Sequence, residues 1–349
     1  MTLEFEHSPA VAYLQQFLTF NKARGMVSEC SLETHLKDRS PVDAIKYLPG
    51  GWVISPRIDE SSRYRFVVFV LPQLFEGEEE LQAAVRAREV DRGFQALATF
   101  LTQSAFGVIV AGAVNAGDPP SPARLRWRNY SYVGERLRPN PDDEPFASRW
   151  PGGRGRASAG NSWQPDVIDR FRAVDTGQLT TLTLRQAYYY GYLKQQLRKP
   201  FDDPYDVDAF IVSFRQAVMP VEIKEKSPTE AGAFGLDAGR ILMMLRMCLA
   251  TDSNALYIVR EVDTSAARGL VGWRCITLSN LVMSCSWNLQ GGGKGMLGGG
   301  TQTVMMPGSF FEPFTEHNLT EEWLEENSRL HESVRMKAQL LAADLVKFL

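Results

Sequence analysis

Three residues of this chain have the types and spacing that metal-assisted hydrolysis requires: Asp208, Glu222 and Lys224, within YDVDAFIVSFRQAVMPVEIKEKSP. DAFIVSF and VMPVEIKEK read as two β-strands joined by a short turn near Arg215 and Gln216. Residues two apart in a strand share a face, so Glu222 and Lys224 point one way and Ile223 the other. A turn centred on Arg215 sets Asp208 directly opposite Glu222, with Cβ atoms roughly 5 Å apart. Two carboxylates that close repel unless a divalent cation lies between them. Lys224, one step along the same face, offsets part of the negative charge and can reach a phosphate. Glu222 and Lys224 form the only Glu-x-Lys in the sequence. The plain alternative is a solvated Glu–Lys pair on an exposed strand.

The order helix, strand with Asp, strand with Glu-x-Lys, helix, strand resembles the PD-(D/E)xK nuclease superfamily, the restriction-endonuclease-like fold, over roughly residues 180–263. The family's Asp, Glu and Lys match Asp208, Glu222 and Lys224. The resemblance implies that Asp208 and Glu222 hold Mg²⁺, with Mn²⁺ as a substitute, and that Lys224 positions the attacking water. It implies hydrolysis of DNA phosphodiester bonds, an endonuclease of the restriction or defence kind, and a homodimer where both strands are cut. Three features depart from the pattern. Pro220 sits inside the second strand and removes a ladder donor. The preceding helix lacks the glutamate that many members add, leaving Gln186, Gln195 or Gln196 in its place. Asp206 shares a strand face with Asp208, although the register favours Asp208. A catalytically inactive nucleic-acid-binding subunit of a larger complex is the alternative, and a hairpin unrelated to nucleic acid is the third reading.

Further cations are candidate phosphate contacts. Lys226 continues the face of Lys224. Arg240, in FGLDAGRILMM, either pairs with Asp237 on one helix or approaches the site. Arg126 and Arg128 lie in a basic–aromatic stretch, Arg124 to Tyr132, that mixes phosphate attraction with surfaces for base stacking. The other reading of that stretch is an amphipathic strand. Arg136, Arg138, Arg149, Arg154 and Arg156 follow it. In QGGGKGMLGGG, Lys294 is followed by Gly295 where a phosphate loop needs Ser or Thr, which argues against ATP.

The elements that must position these residues read as mixed α/β, a central sheet flanked by helices, with the nuclease-like core in the C-terminal half. SPAVAYLQQFLTF and LQAAVRAREVDRGFQALATFLTQ have helical periodicity, while RYRFVVFVL and FGVIVAGAV have strand composition. The organisation expected is an N-terminal α/β region over 1–118, a Pro/Gly/Arg-rich linker over 119–164 with one short strand near YSYV, and the candidate nuclease domain over 165–349. Within the last, TLTLRQAYYYGYLKQQLRK predicts a helix capped by Thr181 or Thr183, SPTEAGAFGLDAGRILMMLRMCLA a helix, ALYIVREV a strand, and the stretch from Thr320 one long helix.

Composition excludes other classes. With 44% hydrophobic and 23% charged residues and a net charge of −3, the chain is neither disordered nor a charge-driven nucleic-acid binder. Four cysteines without a C-x-x-C pair and four scattered histidines give no zinc spacing. No apolar run reaches membrane-helix length, and the acidic start differs from a secretory leader, so the expected setting is a reducing cytoplasm without a membrane partner.

Overall fold

The structure, a computed structural model, describes residues 3–37, 45–54, 65–104, 106–140, 163–197, 205–265, 267–291 and 302–345. The chain folds into two compact units, residues 1–34 with 49–207 and residues 35–48 with 208–349. The mixed α/β class expected from the sequence is present in each.

The first unit contains α1 (His7–Gln15), α2 (Phe20–Lys37), β1 (Ile45–Ile54), β2 (Arg65–Phe75), α3 (Glu78–Glu89), α4 (Arg92–Gln103), β3 (Phe106–Asn115), β4 (Leu125–Val133), β5 (Arg136–Pro139), α5 (Pro165–Arg172), α6 (Thr176–Gln186) and a π-helical segment, Ala187–Gln196. Its strands are ordered β1-β2-β3-β4-β5, with β2 and β3 parallel and the other pairs antiparallel. β2 and β3 are rich in Val, Ile and Phe and nearly all buried, as strands covered on both faces must be. The single helix expected over 81–103 is two, because Asp91 leaves helical geometry and its carboxylate accepts the Phe94 N–H to cap α4. Within the expected linker, β4 and β5 extend the sheet through 125–139. Arg149, Arg154 and Arg156 lie outside the described residues.

α6 starts at Thr176, capped by Asp175, whose carboxylate accepts the Gln178 N–H. The caps expected at Thr181 and Thr183 are therefore interior residues, and the helix continues in π form. α5, α6 and the π-helix, which follow the expected boundary at 164/165, belong to the first unit. Its core places Trp52 against Tyr189 and Trp127 against Tyr188. A buried ion pair ties α2 to α6: Arg185 donates to the Glu29 carboxylate at 2.9 Å.

The second unit contains β6 (Tyr205–Ser213), which begins just before the boundary, β7 (Val218–Lys226), β8 (Ala233–Asp237), α7 (Ala238–Thr251), β9 (Leu256–Val262), β10 (Leu270–Thr277), α8 (Leu278–Ser284), β11 (Leu289–Gly291), β12 (Gln302–Pro307), β13 (Glu312–Pro313), α9 (Glu321–Asn327) and α10 (Glu332–Leu345). One sheet runs β13-β10-β9-β7-β6, antiparallel except for β7 beside β9. A second runs β11-β12-β8. The expected helix over 227–250 begins only at Ala238. Before it, Phe234 and Leu236 are buried between less buried neighbours, a period of two that belongs to β8. The long C-terminal helix is interrupted after Asn327, separating α9 from α10. Lys294 lies outside the described residues.

The β6–β7 hairpin has the expected register: Ala209, Phe210, Ile211 and Val212 face Val221, Pro220, Met219 and Val218. Its turn includes Gln216 at a left-handed φ of 70°. Pro220 fits because of direction. Ile223 N–H points toward β6, where it donates to Asp208, so strand alternation points the nitrogen of Pro220 the opposite way. On that side pairing with β9 begins at Val221, so the missing donor costs no ladder bond.

Removing one partner of the buried Glu29–Arg185 pair leaves an uncompensated charge. Arg185→Met is expected to cost about 3–5 kcal/mol in urea unfolding, and Glu29→Gln added to it is expected to recover part of that loss.

Candidate functional site

The site forms where the β6–β7 ladder stops. Past Ala209 and Val221, the next residues are Asp208 and Glu222, both buried, with Glu222 at 0% exposure. Asp208 Oδ2 accepts the Ile223 N–H at 2.7 Å in place of a strand carbonyl. The Lys224 ammonium lies 2.5 Å from Glu222 Oε1, 3.3 Å from Asp208 Oδ2 and 3.0 Å from the Ile223 carbonyl oxygen. Three oxygens from two strands thus converge on one cation. The Lys224 side chain retains 25% exposure, so the cluster reaches solvent through it.

Electrostatics follow from this burial. Desolvation pushes the Glu222 carboxyl up to about 7, with the Asp208 charge adding, while Lys224 and Arg240 pull it back. The two carboxylates hold the Lys224 amine above its ordinary value despite the opposing effect of burial. Lys226, half-buried on the same face, goes the other way: burial lowers it to about 8, and Lys224 adds to the shift.

Arg240 sits in the first turn of α7. The expected helical ion pair with Asp237 is replaced by a cap, because Asp237 ends β8 and its carboxylate accepts the Arg240 backbone N–H at 3.1 Å. The Arg240 charge acts instead on Glu222 and Lys224. Asp206, the competitor of Asp208, ion-pairs with Lys22 at 3.6 Å in the first unit. Gln186 is buried in α6, while Gln195 and Gln196 are exposed on the π-helix.

Arg126 and Arg128 lie on β4 of the first unit. Arg126 is exposed, and Arg128 is held by Glu78 at 2.9 Å. Trp127, Tyr130 and Tyr132 are buried, so base stacking at this stretch is ruled out and the amphipathic-strand reading holds for its rings.

One residue of the cluster escaped the sequence reading. Tyr257 on β9 is the register partner of Glu222 in the parallel pairing, so their side chains share a face. It is 1% exposed, and burial holds its phenol protonated, within electrostatic reach of Lys224, Glu222, Asp237 and Asp208. The β7–β9 register that places it there is not written in either strand's own sequence.

Among the described residues no group of three or more His, Cys, Asp or Glu side chains gathers as a metal cluster. A divalent cation would rest on Asp208, Glu222 and the Ile223 carbonyl. Hard oxygen donors of this kind, completed by water, suit Mg²⁺, and the three oxygens already surround a cation. Comparison with known proteins gives no match to a family model, a curated protein or a solved structure.

The raised Glu222 carboxyl sets a pH dependence of stability. Between about 4.5, its ordinary value, and about 7 the unfolded chain has lost this proton while the folded chain keeps it. Stability therefore falls as pH rises through that window, by up to about 1.4 kcal/mol per pH unit. Without divalent cations, Glu222→Gln is expected to flatten this slope in urea titrations at pH 5 and 7; an unchanged slope would assign it to other groups.

Proposed function

We propose that this protein is a metal-dependent phosphodiester hydrolase acting on DNA, an endonuclease of the PD-(D/E)xK kind. The observation that carries the reading is the convergence of Asp208 Oδ2, Glu222 Oε1 and the Ile223 carbonyl on the Lys224 ammonium. A bound Mg²⁺ would supply Lewis acidity, lowering the pKa of the attacking water and offsetting charge that gathers on the phosphate.

In this reading Asp208 and Glu222 are the ligands, both buried immediately past the last paired residues of the hairpin, Ala209 and Val221. Lys224 orients the water and contacts the scissile phosphate from the solvent side of the cluster. Arg240 and Lys226 add positive charge around the same carboxylates and favour approach of a polyanion. Tyr257, neutral and buried, lines the same face without adding charge. No helix among the described residues is long and apolar enough to cross a membrane.

The inactive nucleic-acid-binding subunit is the second reading. It is favoured by the complete burial of Glu222 and by the absence, among the described residues, of a third carboxylate grouped with Asp208 and Glu222 as a metal cluster.

The test compares plasmid and linear DNA with Mg²⁺ and with chelator. Wild type is expected to cleave with Mg²⁺ alone, without nucleotide, while Asp208→Asn and Lys224→Ala lose about 100-fold or more. DNA binding with no cation-dependent cleavage would select the second reading. Cleavage undiminished in both variants would remove the site from the chemistry.

A further inference from the structure

The rings at Trp127, Tyr130 and Tyr132 are buried, whereas the π-helix of the first unit carries a partly exposed ring flanked by cations, that of Tyr190, which Tyr189 meets edge-on at 4.8 Å. Tyr190, half-buried, stacks on half-buried Phe17 with ring centroids 5.0 Å apart and planes at 14°. Two ammonium groups gather on the same ring: Lys22 at 5.9 Å and Lys194 at 5.5 Å from its centroid. Lys22 also lies 5.0 Å from the Trp52 ring, and Lys194 lies 4.8 Å from that of Tyr189. Asp206 faces Lys22 at 3.6 Å, longer than a close charge-assisted hydrogen bond.

The backbone conformation produces this grouping. The segment 187–196 is π-helical, a rare form that is frequent at functional sites. Its wider turn, with hydrogen bonds from i to i+5, brings Lys194 over Tyr189 as well as Tyr190, whereas residues five apart in an α-helix lie on different faces. The segment is fastened at two places. Tyr188 donates to Asn129 Oδ1 at 2.8 Å, and Asn129 Nδ2 donates to Tyr192 at 3.2 Å. Gly191 lets the Tyr13 hydroxyl come so close that a Cβ there would lie 2.6 Å from it.

A ring with two ammonium groups around it suits a ligand that is flat, aromatic and anionic. We propose that Tyr190, Lys22 and Lys194 form a nucleotide-stacking site for single-stranded nucleic acid: an unpaired base on the Tyr190 ring, with backbone phosphates on the two lysines. A base inside a duplex keeps its faces against its neighbours, so the site selects single strands. The proposal uses none of the residues at Asp208, Glu222 and Lys224 and stands whether or not those residues hydrolyse DNA.

The test is fluorescence anisotropy of a labelled oligothymidylate titrated with the full chain in chelator, where a cation-dependent cleavage does not enter. Tyr190→Leu is expected to weaken binding about ten-fold or more, and Tyr190→Trp to retain it. Lys194→Gln is expected to lower the slope of log affinity against log salt by about 0.7. Circular dichroism checks each variant's fold; should Tyr190→Leu not fold, Tyr190→Trp and Lys194→Gln carry the test. Unchanged affinity in folded Tyr190→Leu, an unchanged salt slope in Lys194→Gln, an equal loss of duplex affinity in Tyr190→Leu, or no binding of the strand by wild type would each overturn the proposal.

Discussion

Two carboxylates buried on the same face of one hairpin set the electrostatic problem that the second unit solves. Asp208 and Glu222 are taken from water together, so the Asp208 charge raises the cost of ionising Glu222. A buried pair of this kind persists only with a cation beside it. Lys224 supplies one, with three oxygens within 3.3 Å of its nitrogen. Even so the compensation is incomplete: Glu222 stays close to proton balance at neutral pH, and Arg240 from the start of α7 adds a second positive charge. A cluster poised in this way favours a further positive charge, as the proposed cation-dependent hydrolase would require.

Strand alternation keeps this cluster distinct from another on the reverse face of β7. Glu225 lies between Lys224 and Lys226 in sequence but points the other way, where its buried carboxylate binds Arg260 at 2.9 Å and Arg268 at 2.8 Å. That pairing ties β7 to β9 and to the turn that follows it. In VEIKEK the two glutamates look equivalent. One is matched by two guanidinium groups; the other shares the Lys224 ammonium with a second carboxylate, with the Arg240 charge acting on it as well. The chemical difference between them comes from the neighbours that the sheet brings to each face.

The hairpin was legible in the sequence because its information is local. A period of two, a polar turn near Arg215 and the spacing from that turn suffice to pair Ala209 with Val221 and to prefer Asp208 over Asp206. What the sequence could not yield depends on distant chain. Tyr257 enters through the parallel register of β7 with β9, and no turn fixes that register. β8 was hidden in a helical window because Ala233–Asp237 is only five residues long and runs directly into α7. The π-helix has no compositional mark; it is held by Asn129, which lies on β4. The aromatic residues of β4 were equally compatible with a stacking surface and a core, and only packing decided for the core.

Val221 shows why the site lies at this point of the sheet. It is the last residue of β7 paired with β6 and the first paired with β9. Upstream of it the strand is anchored on one side, and downstream on the other, which also accommodates Pro220 just before the exchange. Immediately past the exchange, the β6-facing backbone groups of Ile223 are released from the ladder while β9 still holds the strand straight. The Ile223 N–H takes the Asp208 carboxylate and its carbonyl takes the Lys224 ammonium. A continuous ladder would have consumed both groups in strand pairing and left Asp208 nothing to bind on β7. A strand ending there would have left Glu222 and Lys224 unsupported. The exchange of partners provides rigid backbone and unpaired polar groups at one residue, and the acidic pair is placed beside it.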